Sequence, residues 1–532
     1  MKHSYTVCLP YAVIDEAKAE GTEKLLDEKP LQIMLVENSL TTIGDGGHII
    51  LDFGREIAGG IRILVHQAAL TAQMRLRLGE SVGECCAELG EKNSQNAHAY
   101  RDLTVPVISL SDSAFFDSGF RFLRIDVVGG EISLKSVVAE ALDSEVNIQG
   151  SFECSDPLLN DIYATAARTV ELCVRRGVLW DGIKRDRLVW IGDIYPELLS
   201  LENLTDDLSP VVRSLDLVKE QTPADQWMNG IPMYSMWWMI ILREYYRRTG
   251  DIEYLAAQKE YIDGLLRSLD AYVSEDGNTH FKSNLVDWPT HDTPDEPAGV
   301  HMIAVAAIDA AKEIMEYLGA DTTLCEKISK KLSAREFEVE EKKQIIALKD
   351  FALGNITDTE KEKLLTGGAK GMSTFMSYFL LSAIDRASDT SRALEIAKEY
   401  YGGMLKMGAT TFWEDFDIDW MQEAAPLTRL PEEGEKDIHG DFGAYCYLGY
   451  RHSFCHGWSS GVLPYLVERV LGVKVENGGD TVRISPSLGG LTWVKGDVPL
   501  KKGVLHIEIE DGKMKVKVPY GGVKLICGRI VR

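Results

Sequence analysis

The pattern of apolar and polar positions changes twice along the 532 residues of the chain. In the first part, short apolar runs are separated by glycines and polar turns, and Phe120 and Phe122 flank Arg121. Alternation of this kind is typical of β-strands that bury one face. Region 1–150 is therefore predicted to be a β-sandwich domain.

A helical period begins close to Ser155. The sequence Ser155-Asp156-Pro157 combines a capping hydroxyl with a proline in the first turn, which is how helices often start. Apolar residues then recur every three or four positions in one segment after another, for example in SMWWMIILREYYRRTGD and VHMIAVAAIDAAKEIMEYLGA. Region 151–470 is predicted to be helical, and successive helical hairpins would suit a closed α/α toroid.

A strand pattern returns for the last part of the chain. In VLHIEIEDGKMKVKV, the residues Glu-Asp-Gly-Lys lie between two alternating runs and predict a hairpin turn. Region 471–532 is therefore predicted to be a small C-terminal β domain. The order of β, long α and short β predicts a multidomain α and β protein.

Composition and charge exclude several classes of function. The chain is 45% hydrophobic, which suits a packed protein, and its formal net charge is −25. Such a charge repels phosphate backbones and anionic lipid, so neither nucleic acid nor a membrane is expected as a partner. No targeting segment or long apolar run is visible, and the nine cysteines lack metal-type spacing. A cytoplasmic location is expected, with no metal site and no cofactor, since no nucleotide-binding fingerprint occurs either.

The segment LWDGIKRDRLVWIGDIYPE concentrates candidate chemistry. It contains acidic, basic and tryptophan side chains together with two glycines, namely Asp181, Gly182, Lys184, Arg185, Asp186, Arg187, Trp190, Gly192 and Asp193. Carboxylates that bind hydroxyls and move protons, next to flat rings that cover apolar sugar faces, favour a carbohydrate site. The alternative from composition alone is a salt-bridged loop between helices.

Two later segments have related features. GATTFWEDFDIDW contains Glu414 among further acids and aromatics, which fits a sugar site or an exposed acidic turn, and its spacing differs from a calcium-binding EF-hand loop. HSFCHGWSSG contains His456, which either binds a ligand or is satisfied in the core. Trp237 has the setting of a core residue, although it could line a cavity. Trp288 has two possible roles, either as a flat platform for a sugar or as a packing residue.

Taken in order, these three segments resemble the motifs of bacterial α-L-rhamnosidases, glycoside hydrolase family 78. DGIKRDRLVWIGD resembles the first motif, in which an Asp, an Arg-acid pair, a Trp and a Gly-Asp follow at this spacing. GATTFWEDF resembles the second and HSFCHGWSSG the third, while LDFGREIAGGIRI and ISPSLGGLTWVKGDV resemble the flanking β domains. The likeness covers nearly the whole chain.

This resemblance implies a central (α/α)6 barrel between an N-terminal β-sandwich and a small C-terminal β domain. It also implies inverting hydrolysis of terminal α-L-rhamnosides without a metal. Carried over by motif position, Asp186 is the general acid and Glu414 the general base. Residues implied to hold the sugar are Asp181, Arg185, Trp190 and Asp193, with Trp237, Trp288 and His456 as looser matches. The implied partner is a small-molecule glycoside, and a homodimer is left open.

One residue departs from the family pattern. Most members have glutamate as the acid, whereas this chain has Asp186. The shorter side chain leaves the carboxyl roughly 1–1.5 Å short unless the backbone moves inward. A displacement on that scale can lower the rate about a hundredfold.

An inverting pair predicts two carboxyls about 6.5–9.5 Å apart with room for a water, whereas a retaining pair would be near 5 Å. Two alternatives stay open at this point. One is a glycosidase on the same toroid that acts on another deoxy-sugar or a uronic acid. The other is a sugar-binding protein without catalysis, which Asp186 makes plausible.

Overall fold

The structure is a computed structural model that describes residues 4–519 and 523–531. It divides into two compact units that each combine several chain segments. The first unit consists of Met1–Glu145, Gly182–Leu188 and Met404–His456. The second consists of Val146–Asp181, Val189–Gly403 and Gly457–Arg532. The predicted domain boundaries stay a prediction.

The β-strands cluster near the two ends of the chain. They run over Tyr5–Cys8 (β1), Ala12–Glu20 (β2), Thr41–Ala68 (β3), Gln73–Gly79 (β4), Asp102–Pro106 (β5), Ser111–Val128 (β6), Ile132–Leu142 (β7), Ser151–Cys154 (β8), Val174–Arg175 (β9), Val178–Leu179 (β10), Ala424–Ala425 (β11), Lys436–Asp437 (β12), Val473–Glu476 (β13), Thr481–Ile484 (β14), Trp493–Leu500 (β15), Gly503–Glu510 (β16), Lys513–Lys517 (β17) and Lys524–Cys527 (β18).

The α-helices occupy mostly the middle of the chain. They run over Val82–Cys86 (α1), Pro157–Cys173 (α2), Ile194–Leu201 (α3), Ser209–Gln221 (α4), Pro232–Thr249 (α5), Ile252–Ala257 (α6), Lys259–Tyr272 (α7), Glu296–Tyr317 (α8), Thr323–Leu332 (α9), Lys343–Leu353 (α10), Asp358–Leu365 (α11), Ser377–Ala387 (α12), Thr390–Lys406 (α13) and Val462–Tyr465 (α14). Within the described residues, none of these helices has both the length and the apolar character needed to cross a bilayer.

The first unit is built on a sheet with strand order β1-β7-β3-β6-β4-β5, and β2 pairs with β3. All neighbours in this sheet are antiparallel. Strand β6 differs from the predicted alternation, because Phe120, Arg121 and Phe122 are all buried. Arg121 tolerates burial since its guanidinium forms two 2.8 Å bonds to the carboxylate of Asp52 and a third to the carbonyl of Gly408.

The segment 182–188 packs against β6 in this first unit. A Cβ atom added to Gly119 would lie 2.6 Å from Cγ1 of Ile183 and 2.8 Å from the backbone nitrogen of Lys184. Both separations are far below ordinary contact distances, so only glycine lets this segment approach the strand so closely.

Helix α2 opens the helical part of the second unit at the predicted place. The carboxylate of Asp156 accepts the Leu158 N–H at 3.0 Å, and Pro157 is the first helical residue. The prediction of a capping hydroxyl is wrong, because the cap is the carboxylate of Asp156 and the hydroxyl of Ser155 instead accepts the Thr492 N–H. Residues 407–461 are mainly irregular loops and short 3-10 turns rather than the continuous helices that the sequence suggested, and they contain the second and third motifs.

The last part of the chain forms the predicted β structure. One sheet has the order β17-β16-β15-β8, so it includes a strand that immediately precedes the helices. Asp511 and Gly512 connect β16 to β17 with φ angles of 52° and 72°. Positive φ at both central residues is the geometry of the hairpin turn that the sequence predicted.

Candidate active site

The first motif forms a tight turn around the candidate acid. Asp186 and Arg187 both have left-handed backbones, with φ angles of 53° and 56°. The N–H of Arg187 donates to the carbonyl of Arg185 at 2.7 Å, which closes a three-residue turn. Left-handed residues other than glycine cost on the order of 1–3 kcal/mol each, and such strain is concentrated at functional sites.

The guanidinium of Arg185 connects the two candidate catalytic acids. Its Nη1 is 2.8 Å from Oδ1 of Asp186, and its Nη2 is 2.5 and 2.7 Å from the two oxygens of Glu414. Arg185 and Glu414 are buried. Burial lowers the pKa of Arg185, but the charges of Glu414 and Asp186 outweigh it and raise that pKa above its ordinary value. The site therefore contains two carboxyl groups around one fixed positive charge.

These contacts limit the separation of the two acids. The terminal nitrogens of a guanidinium are roughly 2.3 Å apart, so an oxygen of Asp186 and an oxygen of Glu414 lie within about 8 Å of each other. Residues 229 positions apart, Arg185 and Glu414, are brought into direct contact. The structure thus brings Asp186 and Glu414 into one site.

The third motif supports Glu414 from the backbone. The N–H of Ser453 donates to Oε2 of Glu414 at 3.1 Å, and the N–H of Glu414 donates to the Ser453 carbonyl at 2.9 Å. His456 lies beside this pair, with Nε2 3.9 Å from Oε1 of Glu414. Burial lowers the pKa of His456 well below its ordinary value, and the charge of Arg185 lowers it further. His456 is consequently a neutral imidazole next to the candidate base.

A histidine from the N-terminal region also reaches the candidate acid. Nε2 of His98 is 3.5 Å from Oδ1 of Asp186. His98 has a positive φ of 65° in the loop that precedes β5. The sequence analysis did not single out this residue, because it lies in a loop without a recognisable motif and far from Asp186 in sequence.

Lys184 forms the centre of a buried charge cluster beside the turn. Its ammonium is 2.9 Å from Glu80 and 3.3 Å from Glu84, and it also donates to the carbonyls of Tyr450 and His452. Burial raises the pKa of Glu80 to about 7, although the charge of Lys184 acts in the opposite direction.

Two glutamates of this cluster and His439 have a spacing that could hold a metal ion. The ammonium of Lys184 lies within 3.4 Å of Glu80, Glu84 and His439. A cation is thus already supplied by the protein. The cluster is best explained as the anchor of the first motif rather than as a metal site.

Acidic residues are also buried together in the second unit. The carbonyl of Asp181 accepts the Gly457 N–H at 2.8 Å, and the hydroxyl of Tyr234 donates to Asp193 at 3.4 Å. Glu197, one helical turn after Asp193, was not predicted from the sequence. Burial raises its pKa well above the ordinary value, and the nearby charges of Asp193 and Asp181 add to this effect.

The predicted tryptophans of this unit differ in exposure. Trp190 is half-buried and meets Tyr234 edge to face, with ring centres 6.1 Å apart. Trp288 is also half-buried and lies edge-on to His291. Trp237 is 1% exposed and packs against an aromatic cluster that includes Phe379. This position agrees with the first of the two roles considered for Trp237, that of a core residue. A contact between Trp237 and the sugar stays a prediction, and this packing disfavours it.

Comparison with known proteins was made on both sequence and structure. Residues 147–345 match the sequence model of the bacterial alpha-L-rhamnosidase six-hairpin glycosidase domain. The resemblance to bacterial α-L-rhamnosidases is confirmed. An alpha-L-rhamnosidase of Formosa agariphila is 25% identical over 194 residues, which are 34% of this chain and 19% of that protein. The chain therefore spans about a fifth of this curated relative.

Solved rhamnosidase structures share the fold. The family 78 rhamnosidase of Bacillus sp. GL1 superposes with a TM-score of 0.70 at 20% identity, covering 96% of this chain and 56% of that one. The rhamnosidase from Klebsiella oxytoca with rhamnose bound gives a TM-score of 0.64 at 18% identity, covering 87% of this chain and 96% of that one. The chain thus shares the fold of these structures, and β-rich parts flank the region that matches the six-hairpin domain model.

Proposed function

We propose that this protein is an α-L-rhamnosidase that releases terminal α-L-rhamnosyl residues with inversion, on an (α/α)6 barrel. The observation that carries the proposal is the bridge from Arg185 to both Asp186 and Glu414. It places two carboxyl groups in one site, as acid/base hydrolysis of a glycoside requires. The matching family model and the rhamnosidase relatives favour rhamnose over other sugars.

Glu414 acts as the general base in this proposal. It removes a proton from the water that attacks the sugar carbon on the face opposite the leaving group. Arg185 and the N–H of Ser453 hold its carboxylate in position. The base must be held in place because a small displacement of the proton acceptor lowers the rate of the reaction.

Asp186 acts as the general acid and gives its proton to the glycosidic oxygen. Its side chain is 17% exposed, more than the 4% of Glu414, so it is the more accessible acid. Its Oδ1 is bound to Nη1 of Arg185, whereas the acid must be able to reach the glycosidic oxygen. The proposal therefore requires the bound glycoside to separate Asp186 from Nη1 of Arg185.

The inverting assignment is taken from the family resemblance. Inverting pairs are about 6.5–9.5 Å apart so that a water fits between them, whereas retaining pairs are about 5 Å apart. The upper limit of about 8 Å set by the shared guanidinium admits both separations, so the stereochemistry has to be measured. The proposed substrate is a small-molecule glycoside. The residues carried over from the resemblance as sugar-binding stay predictions, namely Asp181, Arg185, Trp190, Asp193, Trp237, Trp288 and His456.

Two substrates with different leaving groups test the assignment of the acids. A p-nitrophenoxide leaves with little help from an acid, whereas methanol needs a proton. We expect Asp186→Asn to lower kcat/KM for methyl α-L-rhamnoside by about 10²–10⁴-fold but to affect the p-nitrophenyl glycoside far less. Glu414→Gln should lower kcat/KM for both substrates, because water must be activated in either case.

The exposed Glu433 lies outside the site and provides a matched control, since Glu433→Gln should leave both rates unchanged. Equal losses for both substrates in Asp186→Asn would remove Asp186 as the acid. Rhamnose binding by calorimetry with no hydrolysis in the wild type would instead support the sugar-binding alternative.

The stereochemical claim has its own measurement. Proton NMR during the first minutes of hydrolysis should show the β anomer of L-rhamnose before it equilibrates. First formation of the α anomer would indicate a retaining double displacement and would reject the inverting assignment.

A further inference from the structure

A cavity of about 720 Å³ lies within the helical unit, apart from the residues assigned above. It is bounded by one side of α8, the end of α9, the segment after it and the end of α10. None of the proposed catalytic or sugar-binding residues lines it. Its volume falls in the range of small-molecule sites.

His301 on α8 contributes part of its imidazole ring to the wall of this cavity. The residue is 3% exposed, and Nδ1 has no hydrogen-bond partner among the described residues. Burial lowers the pKa of His301 to about 4, against the effect of a hydrogen bond to the backbone of Gly277. A neutral imidazole that uses its N–H for Gly277 leaves Nδ1 as an acceptor. Because Nδ1 itself is inaccessible, His301 offers the cavity a neutral ring surface rather than a hydrogen bond.

Two more polar groups of the lining lack protein partners in the described chain. The guanidinium of Arg335 lies 4.7 Å from the ring centre of Phe337, with no hydrogen bond or ion pair of its own. The side-chain amide of Asn355 is exposed and likewise makes no hydrogen bond. Phe337 is held between Arg335 and His301, whose ring centre is 4.9 Å away. Donors and acceptors are thus arranged around an aromatic ring.

The rest of the lining specifies the kind of ligand. Apolar side chains contribute much of the wall, among them Val305, Ile308, Leu332 and Leu353. Its charged groups are two basic and three acidic residues, namely Arg335, Lys349, Asp309, Glu336 and Glu338. The ammonium of Lys349 is already paired with Glu360 at 2.7 Å. An anion is therefore disfavoured, and a neutral molecule with hydroxyl groups and apolar C–H faces fits best.

We propose that this cavity is a second binding site for a small neutral saccharide. The ligand accepts hydrogen bonds from Arg335 and Asn355 and lies along Phe337. This site differs in its residues from the proposed hydrolytic site and does not depend on Asp186 or Glu414.

Met302 lines the cavity and provides a local probe of binding. The full-length protein is labelled with [¹³C-methyl]methionine, and Met302→Leu identifies the Met302 resonance. L-Rhamnose, D-glucose and D-glucuronate are titrated in turn. We expect a saturable shift of the Met302 methyl with at least one neutral sugar and none with glucuronate.

Two exposed substitutions test the assigned contacts. Arg335→Met with Asn355→Ala should weaken the Kd reported by Met302 about tenfold or more, because two hydrogen bonds are lost. Lys330→Met, on the same helix as Leu332 but outside the lining, should leave that Kd unchanged. Glu414→Gln should also leave it unchanged, which separates this site from the hydrolytic one.

Three results would overturn the proposal. The first is no saturable Met302 shift with either neutral sugar, and the second is an unchanged Kd in the Arg335→Met, Asn355→Ala variant. The third is a response to glucuronate alone, which would assign the cavity to an anion. If the wild type does not hydrolyse α-L-rhamnosides, the proposed function is rejected, but the Met302 shifts and the Kd values still test this second site.

Discussion

At the scale of single residues, Arg185 has the clearest predicted effect. Its two arms contact different acids, and a lysine ammonium cannot reproduce a planar bidentate contact. We expect Arg185→Lys to lower kcat/KM for p-nitrophenyl α-L-rhamnoside about a hundredfold, because Glu414 loses its fixed position.

Arg187 allows a matched control from the same turn. Its guanidinium donates to the carbonyl and to the exposed carboxylate of Asp117. Arg187→Lys should keep kcat/KM within about twofold of the wild type, because a lysine keeps the positive charge beside an exposed carboxylate and such pairs contribute little. An Arg185→Lys enzyme as active as Arg187→Lys would show that the bridge has no part in catalysis.

His452 should make the first unit less stable in acid. It is fully buried, and its Nε2 accepts the N–H of Asp415 at 2.9 Å. Burial lowers the pKa of His452 to about 3. Between about pH 6.5 and pH 3 the unfolded chain binds a proton at this residue that the folded chain does not, so the free energy of unfolding falls as the pH falls.

Replacing this histidine by glutamine should remove that contribution while keeping an acceptor for Asp415. Urea unfolding at pH 6 and at pH 4 measures it. The wild type should lose about 2–3 kcal/mol more than His452→Gln over this interval, from one proton at about 1.4 kcal/mol per pH unit. Equal losses in the two proteins would contradict a neutral His452.

At the scale of elements, the contact between β6 and the first motif depends on Gly119. A methyl group there would overlap Ile183 and the backbone of Lys184. We expect Gly119→Ala to displace the turn that contains Arg185 and Asp186. The rate should fall about a hundredfold, while the far-UV circular dichroism stays that of the wild type.

Gly44 on β3 is a suitable control for this substitution. Its added Cβ would lie 3.4 Å from the nearest atom, the carbonyl oxygen of Lys18, which is an ordinary contact. Gly44→Ala should therefore keep full activity. Similar rates for Gly44→Ala and Gly119→Ala would show that the close approach to β6 is not needed.

Elements with a local cause were predictable from the sequence. The start of α2 at Pro157 and the Asp511-Gly512 turn depend on interactions within a few residues, so both matched the prediction, although the cap of α2 is Asp156 and not the predicted hydroxyl. Strand β6 did not match, because Asp52 from another strand neutralises Arg121 and allows it to be buried. The irregular segment 407–461 likewise contains contacts between positions far apart in sequence, such as the Ser453 and Glu414 pair.

At the scale of the whole molecule, the C-terminal strands and the helices are joined through β8. This strand pairs with β15, with Phe152 opposite Gly496. A Cβ added to Gly496 would lie 2.8 Å from Leu471, so the sheet packs closely on the end of the helical region. The second unit should therefore unfold as one cooperative body.

Deletion of residues 473–532 tests this coupling. We expect the shortened chain to aggregate or to lose helical circular dichroism, because β8 and the apolar surface beneath it are exposed. Gly496→Val is the milder variant and should lower the Tm of the helical signal. A shortened chain with the Tm of the full one would show that the C-terminal strands fold independently.

The sequence by itself determined which chemistry was available. It specified the helical and strand regions, because hydrophobic periods and caps act locally. It also supplied the order of the three motifs, and with them Arg185, Asp186, Glu414 and His456 as one group. These four residues do meet in the structure.

Only the tertiary structure decided how these groups are used. In the structure, Arg185 contacts both acids and His98 from a remote loop lies beside Asp186. Lys184 has buried acidic partners, and Trp237 is buried in an aromatic cluster. Each of these outcomes depends on segments far apart in the chain. Side-chain burial and charge pairing follow from packing between such segments, and a local sequence pattern does not specify that packing.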